Sequence, residues 1–168
     1  MNRWLRLLKH RWHDEAAARR ALGTGAVDRL RERVAASETG HSGEIRICVE
    51  ASLPLSYLWR GATARERALT LFGKLGVWDT EANNGVLIYL LLADHCIEIV
   101  ADRGLNRHVG AAHWQAITAG MSEAFRTGRF EDGLNAAVDA VSQALGEHFP
   151  LAAGERNPNE LPDAVVMR

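Results

Sequence analysis

Three observations predict an α/β fold, a small mixed β-sheet flanked by helices on both faces (an α/β/α sandwich). Ile45, Ile47 and Val49 alternate with Glu44, Arg46, Cys48 and Glu50, the period-two pattern of a strand with one apolar and one polar face. Residues 86–92, Val-Leu-Ile-Tyr-Leu-Leu-Leu, are apolar without alternation. A strand covered on both faces reads this way, which makes it the central one. Between the two, residues 63–75 place Ala68, Leu71, Phe72 and Leu75 at helical spacing, and Gly76 ends the pattern. Strand–helix–strand implies a right-handed parallel crossover. The dipeptide Ala93-Asp94 then leads into a third strand, residues 95–101, and so short a turn allows only an antiparallel hairpin.

The remaining elements follow in order. Residues 3–12 set Trp4, Leu5, Leu8 and Trp12 on one helical face, beside Arg3, Arg6, Lys9 and Arg11. A docking helix and an interfacial membrane helix share this pattern; docking of the tryptophans on the body or on a partner is the expectation. Alanine-rich residues 16–22 continue the helical segment to Gly23. Thr24 is the expected N-cap of a helix over 25–38, with Val27, Leu30 and Val34 inward. Residues 53–55 begin a loop. After Gly104 come two helices, the first carrying Trp114, Ile117, Met121 and Phe125, the second Phe130, Leu134, Val138, Val141 and Leu145. Residues 150–168 hold Pro150, Pro158 and Pro162 without periodicity and read as a flexible tail. The expected division is an amphipathic helical segment (1–22), a domain (24–149) and the tail (150–168).

Composition bounds the function. At 168 residues, 47% hydrophobic and 24% charged, the chain has the size and make-up of one globular domain, which excludes wholesale disorder. Twenty basic against 21 acidic residues leave a net charge of −1, so no basic field draws it onto nucleic acid. The longest apolar run, residues 86–93, is far short of the ~20 residues of a membrane helix. The charge-broken N-terminus does not read as a signal peptide. A cytoplasmic protein with reduced Cys48 and Cys96 is the expectation. HExxH, CxxC, GxGxxG, Walker and GxSxG motifs are all lacking.

The polar residues worth attention gather by topology. Pairing Leu92 with His95 sets Gly85 opposite Asp102 and Asn84 opposite Arg103. The parallel crossover brings the start of the first strand, His41, Ser42 and Glu44, to the same end. One rim thus collects Asp79, Glu81, Asn83, Asn84, Asp102, Arg103 and His41. The loop of residues 79–85 spaces oxygen-bearing side chains as a cation loop does, at Asp79, Glu81 and Asn83. Its glycine falls one place late and Leu90 stands where an EF-hand needs a glutamate, so an EF-hand is excluded. A looser Ca²⁺ or Mg²⁺ site formed by Asp79, Glu81, Asn83, Asn84 and Asp102 is one reading. The other is structural: Asp79 caps a turn, Asn83 and Asn84 tolerate positive φ, and Asp102 pairs with Arg103 where Gly104 turns the chain. In the catalytic version, Arg103 binds phosphate or carboxylate and Asp102 handles a metal or proton.

Four segments together resemble the TPM-domain family: residues 43–47 (Gly-Glu-Ile-Arg-Ile), 64–68 (Ala-Arg-Glu-Arg-Ala), 83–90 (Asn-Asn-Gly-Val-Leu-Ile-Tyr-Leu) and 98–105 (Glu-Ile-Val-Ala-Asp-Arg-Gly-Leu). The resemblance spans about residues 24–149 and covers thylakoid proteins tied to photosystem II repair and many bacterial proteins. It implies an α/β/α sandwich. For some members it implies divalent-cation binding, and some are called phosphatases. The chain looks like a stand-alone cytosolic bacterial form. The function expected is a module that binds a divalent cation or a protein partner through its polar rim. The alternatives are a metal-assisted phosphatase, with Asp79 and Asp102 on the ion and Arg103 on phosphate, and a peripheral membrane adaptor contacting the membrane surface through the N-terminal helix.

Overall fold

The computed structural model describes residues 3–168, apart from the side chains of Arg3, Trp4, Leu5 and Arg11. Its sheet has four strands in the order β3-β2-β1-β4. Strand β1 (Ile45–Glu50) runs parallel to β2 (Val86–Leu91), and β2 pairs antiparallel with β3 (Cys96–Ala101). The apolar strand β2 therefore lies between the other two main strands, as its composition predicts. The pair Val86↔Ala101 fixes the hairpin register and sets Gly85 against Asp102, as read from the turn; the Asp102 N–H donates to Gly85 O at 2.9 Å.

Alternating residues send the sheet into two cores. Ile45, Ile47, Val49, Val86, Ile88, Leu90, Ile97, Ile99 and Ala101 face one side. There they meet α2 (Glu15–Leu22), α3 (Ala26–Ser37), α7 (Ala111–Arg126) and α8 (Phe130–His148). Cys48, Leu87, Tyr89, Leu91 and Val100 face the other side, under α4 (Leu55–Trp59) and α5 (Ala64–Lys74). Thr63 starts α5 with a capping box: its Oγ1 accepts from Glu66 N, and Glu66 Oε2 accepts from Thr63 N at 2.7 Å.

The polar face expected for β1 is buried. Cys48 and Glu50 are covered by α4 and α5, and the Glu50 carboxylate answers its burial with a guanidinium. Arg67 of α5 donates to it from Nε (2.9 Å) and Nη2 (2.5 Å), and the Tyr89 hydroxyl donates at 2.7 Å. Hydrogen bonding to Glu50, working against desolvation, holds the Arg67 guanidinium above its ordinary range; burial pushes the Tyr89 hydroxyl up. Both ion-pair partners are at most 5% exposed, so removing either one alone would strand a buried charge.

Several boundaries depart from the sequence reading. The segment 1–22 is two helices, α1 (Arg3–Arg11) and α2, because Asp14 caps the second through Ala17 N. Gly25, in left-handed conformation at φ 72, precedes α3 in place of a Thr24 cap. A short helix, α4, replaces the loop expected after residue 53. Residues 103–106 form a four-residue helix, α6 (Arg103–Asn106). The expected tail carries β4 (Val166–Met167), parallel to β1 with Cys48↔Val166. Its pairing is closed by Ala51 N to Arg168 O (2.7 Å) and Arg168 N to Val49 O (2.9 Å). A two-residue strand inside a proline-bearing segment has no periodicity to betray it.

Helix α1 docks, but two of the four apolar residues expected to make the contact, Leu8 and Trp12, are exposed. Leu8 is 56% and Trp12 81% exposed. Trp4 and Leu5 belong to the side chains outside the described residues. The docked side carries Arg6, Leu7 and His10. Arg6 Nη2 and His10 Nε2 hold the Asp94 carboxylate at 2.9 and 3.1 Å, and Arg6 Nη1 reaches Ala62 O at 2.8 Å. His10 Nδ1 accepts from Leu53 N at 3.0 Å, which requires the neutral tautomer with its proton on Nε2, facing Asp94. Charge-assisted bonds thus seat the helix on the hairpin turn, while Leu8 and Trp12 face outward.

Burial would raise the Asp94 carboxyl, but the bonds from His10 and Arg6 outweigh it and hold the group at about 2, below its ordinary 3.8. A depressed acid stabilises the fold above its unfolded value, and that stability is lost as pH falls through the folded value. Denaturant melts between about pH 4 and pH 2 are therefore expected to show a loss on the order of 2 kcal/mol that Asp94→Asn removes. A variant with an unchanged pH profile would refute the Asp94 anchor.

Candidate functional site: the polar rim

The rim lies where β1 and β2 begin and β3 ends. Its loop is built from local bonds. Asn83 N donates to Thr80 O (3.1 Å), and Asn84 N donates to Thr80 Oγ1 (3.1 Å). Thr80, not Asp79, therefore caps this turn. Asn83 takes φ 53, which its short amide side chain tolerates. Gly104 N then donates to Asn83 O at 2.8 Å, tying the loop to the start of α6. A Cβ on Gly104 would stand 2.5 Å from both Ala82 O and Asn83 O, so only glycine lets α6 approach this loop.

The predicted residues divide by burial. Asp79 and Glu81 are exposed, and their carboxylates reach outward from the rim; Glu81 N is held by the Glu160 carboxylate at 3.1 Å. Asn83 is half-buried, and its Oδ1 lies 3.4 Å from Nη2 of exposed Arg103. Asn84 and Asp102 are buried, at 0% and 7% exposure. Asp102 is the N-cap of α6, its Oδ1 accepting from Arg103 N at 2.6 Å; the expected Asp–Arg side-chain pair is replaced by this cap. Asn84 Nδ2 lies 3.4 Å from Ser42 Oγ.

Three buried polar atoms here have no hydrogen-bond partner: Asn84 Oδ1, Asp102 Oδ2 and His41 Nε2. Each offers a lone pair. His41 is 1% exposed and its Nδ1 lies 3.0 Å from Gly43 O, which assigns the ring proton to Nδ1 and leaves Nε2 as an acceptor. Burial lowers its pKa, so the ring stays neutral. Among the described residues no group of three or more His, Cys, Asp or Glu side chains is arranged to hold an ion. Any cation here would rely on amide, backbone and water oxygens beside the one buried carboxylate that keeps an unpartnered oxygen, Asp102.

The sequence reading missed what closes the rim. Residues 157–162 run along it. Asn157 Nδ2 donates to His41 O (2.9 Å) and Gly43 O (3.1 Å). The fully buried Glu44 carboxylate accepts from Glu160 N and Leu161 N at 3.0 and 3.1 Å. Glu38 Oε1 takes the N–H of Ile45 at 2.9 Å. Burial chiefly, then the neighbouring Glu44 and Asp163 charges, push the Glu38 carboxyl up to about 8, and burial raises Glu44. The one available signal was Glu44 itself, an acid directly before the strand that begins at Ile45. Burial pushes the Cys48 thiol up to about 12 and the Cys96 thiol up to about 11, which disfavours the thiolate form at both.

A three-layer α/β/α domain whose polar residues converge on one sheet end defines the class. Residues 19–144 match the TPM domain family, and the chain belongs to it. The BA42 protein from the psychrophilic bacterium Bizionia argentinensis is similar at 26% identity and a TM-score of 0.71, covering 84% of this chain and 91% of that one. The N-terminal domain of a P. gingivalis protein shares the fold, with a TM-score of 0.62, 23% identity, and 79% and 83% of the two chains covered. No curated protein matches the chain.

Gly104→Ala is expected to cost about 1–3 kcal/mol in chemical denaturation, because the added methyl meets two backbone carbonyls. Gly110→Ala, whose methyl would meet nothing within 4 Å, should stay within about 0.5 kcal/mol. Equal effects would show that the α6–loop contact is not tight.

Proposed function

We propose that the chain is a binding module whose rim takes a hard divalent cation, Ca²⁺ or Mg²⁺, through Asp102 and Asn84, with exposed Asp79 and Glu81 adding negative field around it. The observation that carries this reading is the pair of buried, unpartnered oxygens, Asn84 Oδ1 on the residue before Gly85 and Asp102 Oδ2 on the strand partner of Gly85. Buried acceptors without donors are costly, and a cation is one group that would satisfy both. A bound ion would supply positive charge for an anionic partner, with Arg103 beside it. One carboxylate in the inner set fits weak, exchangeable binding.

Titration of the full chain with Ca²⁺ or Mg²⁺, followed by amide NMR, is expected to shift Asn84, Asp102 and the loop between residues 79 and 85. The dissociation constant should be about 10⁻⁴–10⁻³ M, the range of sites with few charged ligands. Asp102→Asn should abolish the shifts. Shifts elsewhere, or none, would sink the cation reading. Mg²⁺-dependent hydrolysis of a phosphate monoester, lost in Asp102→Asn and Arg103→Gln, would instead promote the phosphatase alternative.

A second reading, contact with a membrane surface, is favoured by one observation: Leu8 on α1 and Trp12, just past its end, are exposed near Lys9. Among the described residues no helix is long and apolar enough to cross a membrane, so such contact would be peripheral. Co-sedimentation with anionic vesicles at low salt should fall on Leu8→Ser/Trp12→Ser substitution. Equal sedimentation of variant and parent would reject it.

A further inference from the structure

The free edge of the sheet opens onto a cleft that the rim does not use. Asp102 N–H points to β2, so the alternation of an antiparallel ladder turns the backbone groups of Ile97, Ile99 and Ala101 away from it. Two outward carbonyls are capped by side chains: Ile99 O by Arg65 Nη1 and Ala101 O by Asn106 Nδ2, both at 2.5 Å. Beside this edge lies a cavity of about 490 Å³, lined by Arg65, Glu98, Asn106, Trp114, Gln115 and Thr118 among others. That volume suits a small molecule.

The lining is charged in both senses. Arg65 spends one donor on Ile99 O, and its Nη1 stands 3.6 Å from Glu98 Oε2, too long for a good hydrogen bond. Arg65 keeps further donors, and Glu98 keeps acceptor capacity. Their side chains are 45% and 25% exposed, within reach of a ligand. Trp114 of α7 also lines the cavity; it is only 4% exposed, and its Nε1–H has no acceptor. A buried indole N–H normally finds one.

We propose that the cleft binds a small amphoteric carboxylate, an α-amino acid, with its carboxylate on Arg65 and the Trp114 Nε1–H and its ammonium on Glu98. A carboxylate supplies the acceptor that Trp114 lacks and matches the planar fork of a guanidinium. An ammonium supplies a donor for Glu98, whose carboxyl burial raises and Arg65 lowers. Gln115 and Thr118, about a turn apart on α7, offer amide and hydroxyl groups to the substituent. This site shares no residue with the proposed cation site, so either can fail without the other.

The test titrates free L-amino acids singly into the isotope-labelled full chain and follows the Trp114 indole N–H, assigned by its loss in Trp114→Phe. At least one amino acid is expected to move this cross-peak saturably, while its N-acetyl and amide derivatives do not. Arg65→Gln and Glu98→Gln should each weaken binding about tenfold or more, some 1.4 kcal/mol. Melting temperatures of the two variants confirm that the fold is kept, and the blocked derivatives report on the parent chain regardless. An indole signal that no amino acid moves overturns the proposal. So does binding that survives loss of the ligand's ammonium and carboxylate, or that Arg65→Gln leaves unchanged.

Discussion

Everything in this molecule is arranged around β2, whose six residues are all fully buried. A strand with no polar side chain but Tyr89 cannot be exposed on either face, and its backbone groups must be paired along both edges. That demands a strand on each side and a helical layer above and below. The parallel partner β1 comes through the α5 crossover, and the antiparallel partner β3 through the turn at Ala93-Asp94. The two cores are the two faces of this one strand: Val86, Ile88 and Leu90 toward α8, and Leu87, Tyr89 and Leu91 toward α5. Tyr89 is the exception that imports polarity, and its hydroxyl is absorbed by the Glu50–Arg67 pair.

The rim follows from that topology. A parallel strand and an antiparallel one flank β2, so one end of the sheet receives the start of β1, the start of β2 and the end of β3. Backbone pairing stops there, and side chains take over the unpaired groups: Glu38 for Ile45 N–H, Glu44 for the N–H groups of Glu160 and Leu161 in the passing segment, Thr80 for Asn84 N–H and Asp102 for Arg103 N–H. Most of the polar residues at this end are thus engaged in finishing the sheet. What distinguishes Asn84, Asp102 and His41 is that each finishes one bond and has an atom left over. The surplus, not the concentration of acids, is what makes the rim a candidate site.

The sequence disclosed the sheet because its signals are local. An unbroken apolar run, an alternation and a two-residue turn act over neighbouring residues, so strand order and hairpin register could be read to the residue, and with them the set of side chains on the rim. What stayed hidden depends on contacts distant in the chain. Glu50 looked solvent-facing because its partner, Arg67, lies in the next helix and reads there as one more surface arginine. Trp12 looked like the docking residue because amphipathicity weighs only hydrophobicity, whereas the bonds of Arg6 and His10 to Asp94 span more than 80 positions. Val166 and Met167 gave no strand signal because their order comes from the open edge of β1. The missing acceptors of Asn84, Asp102 and Trp114 are properties of three-dimensional packing alone, which no spacing encodes.

The edges of the sheet are finished by opposite strategies, and the difference bears on where ligands can act. On the β1 edge, chain residues 157–168 cover the strand and bury acids beneath them. Glu38 keeps its proton in the folded state up to about pH 8. An acid with a raised folded value favours the fold most below its unfolded value, and that contribution falls as pH rises towards the folded one. Asp94, at the far end of the sheet, acts in the reverse sense. On the β3 edge no strand is added. Arg65 and Asn106 cap two carbonyls and leave the outward N–H groups of Ile99 and Ala101 facing the cleft. An edge closed with long side chains stays accessible to small molecules while being a poor template for another strand. One edge is therefore sealed by chain and the other by removable polar groups, and α6 joins rim to cleft: Asp102 caps its start in the one, and Asn106 ends it in the other.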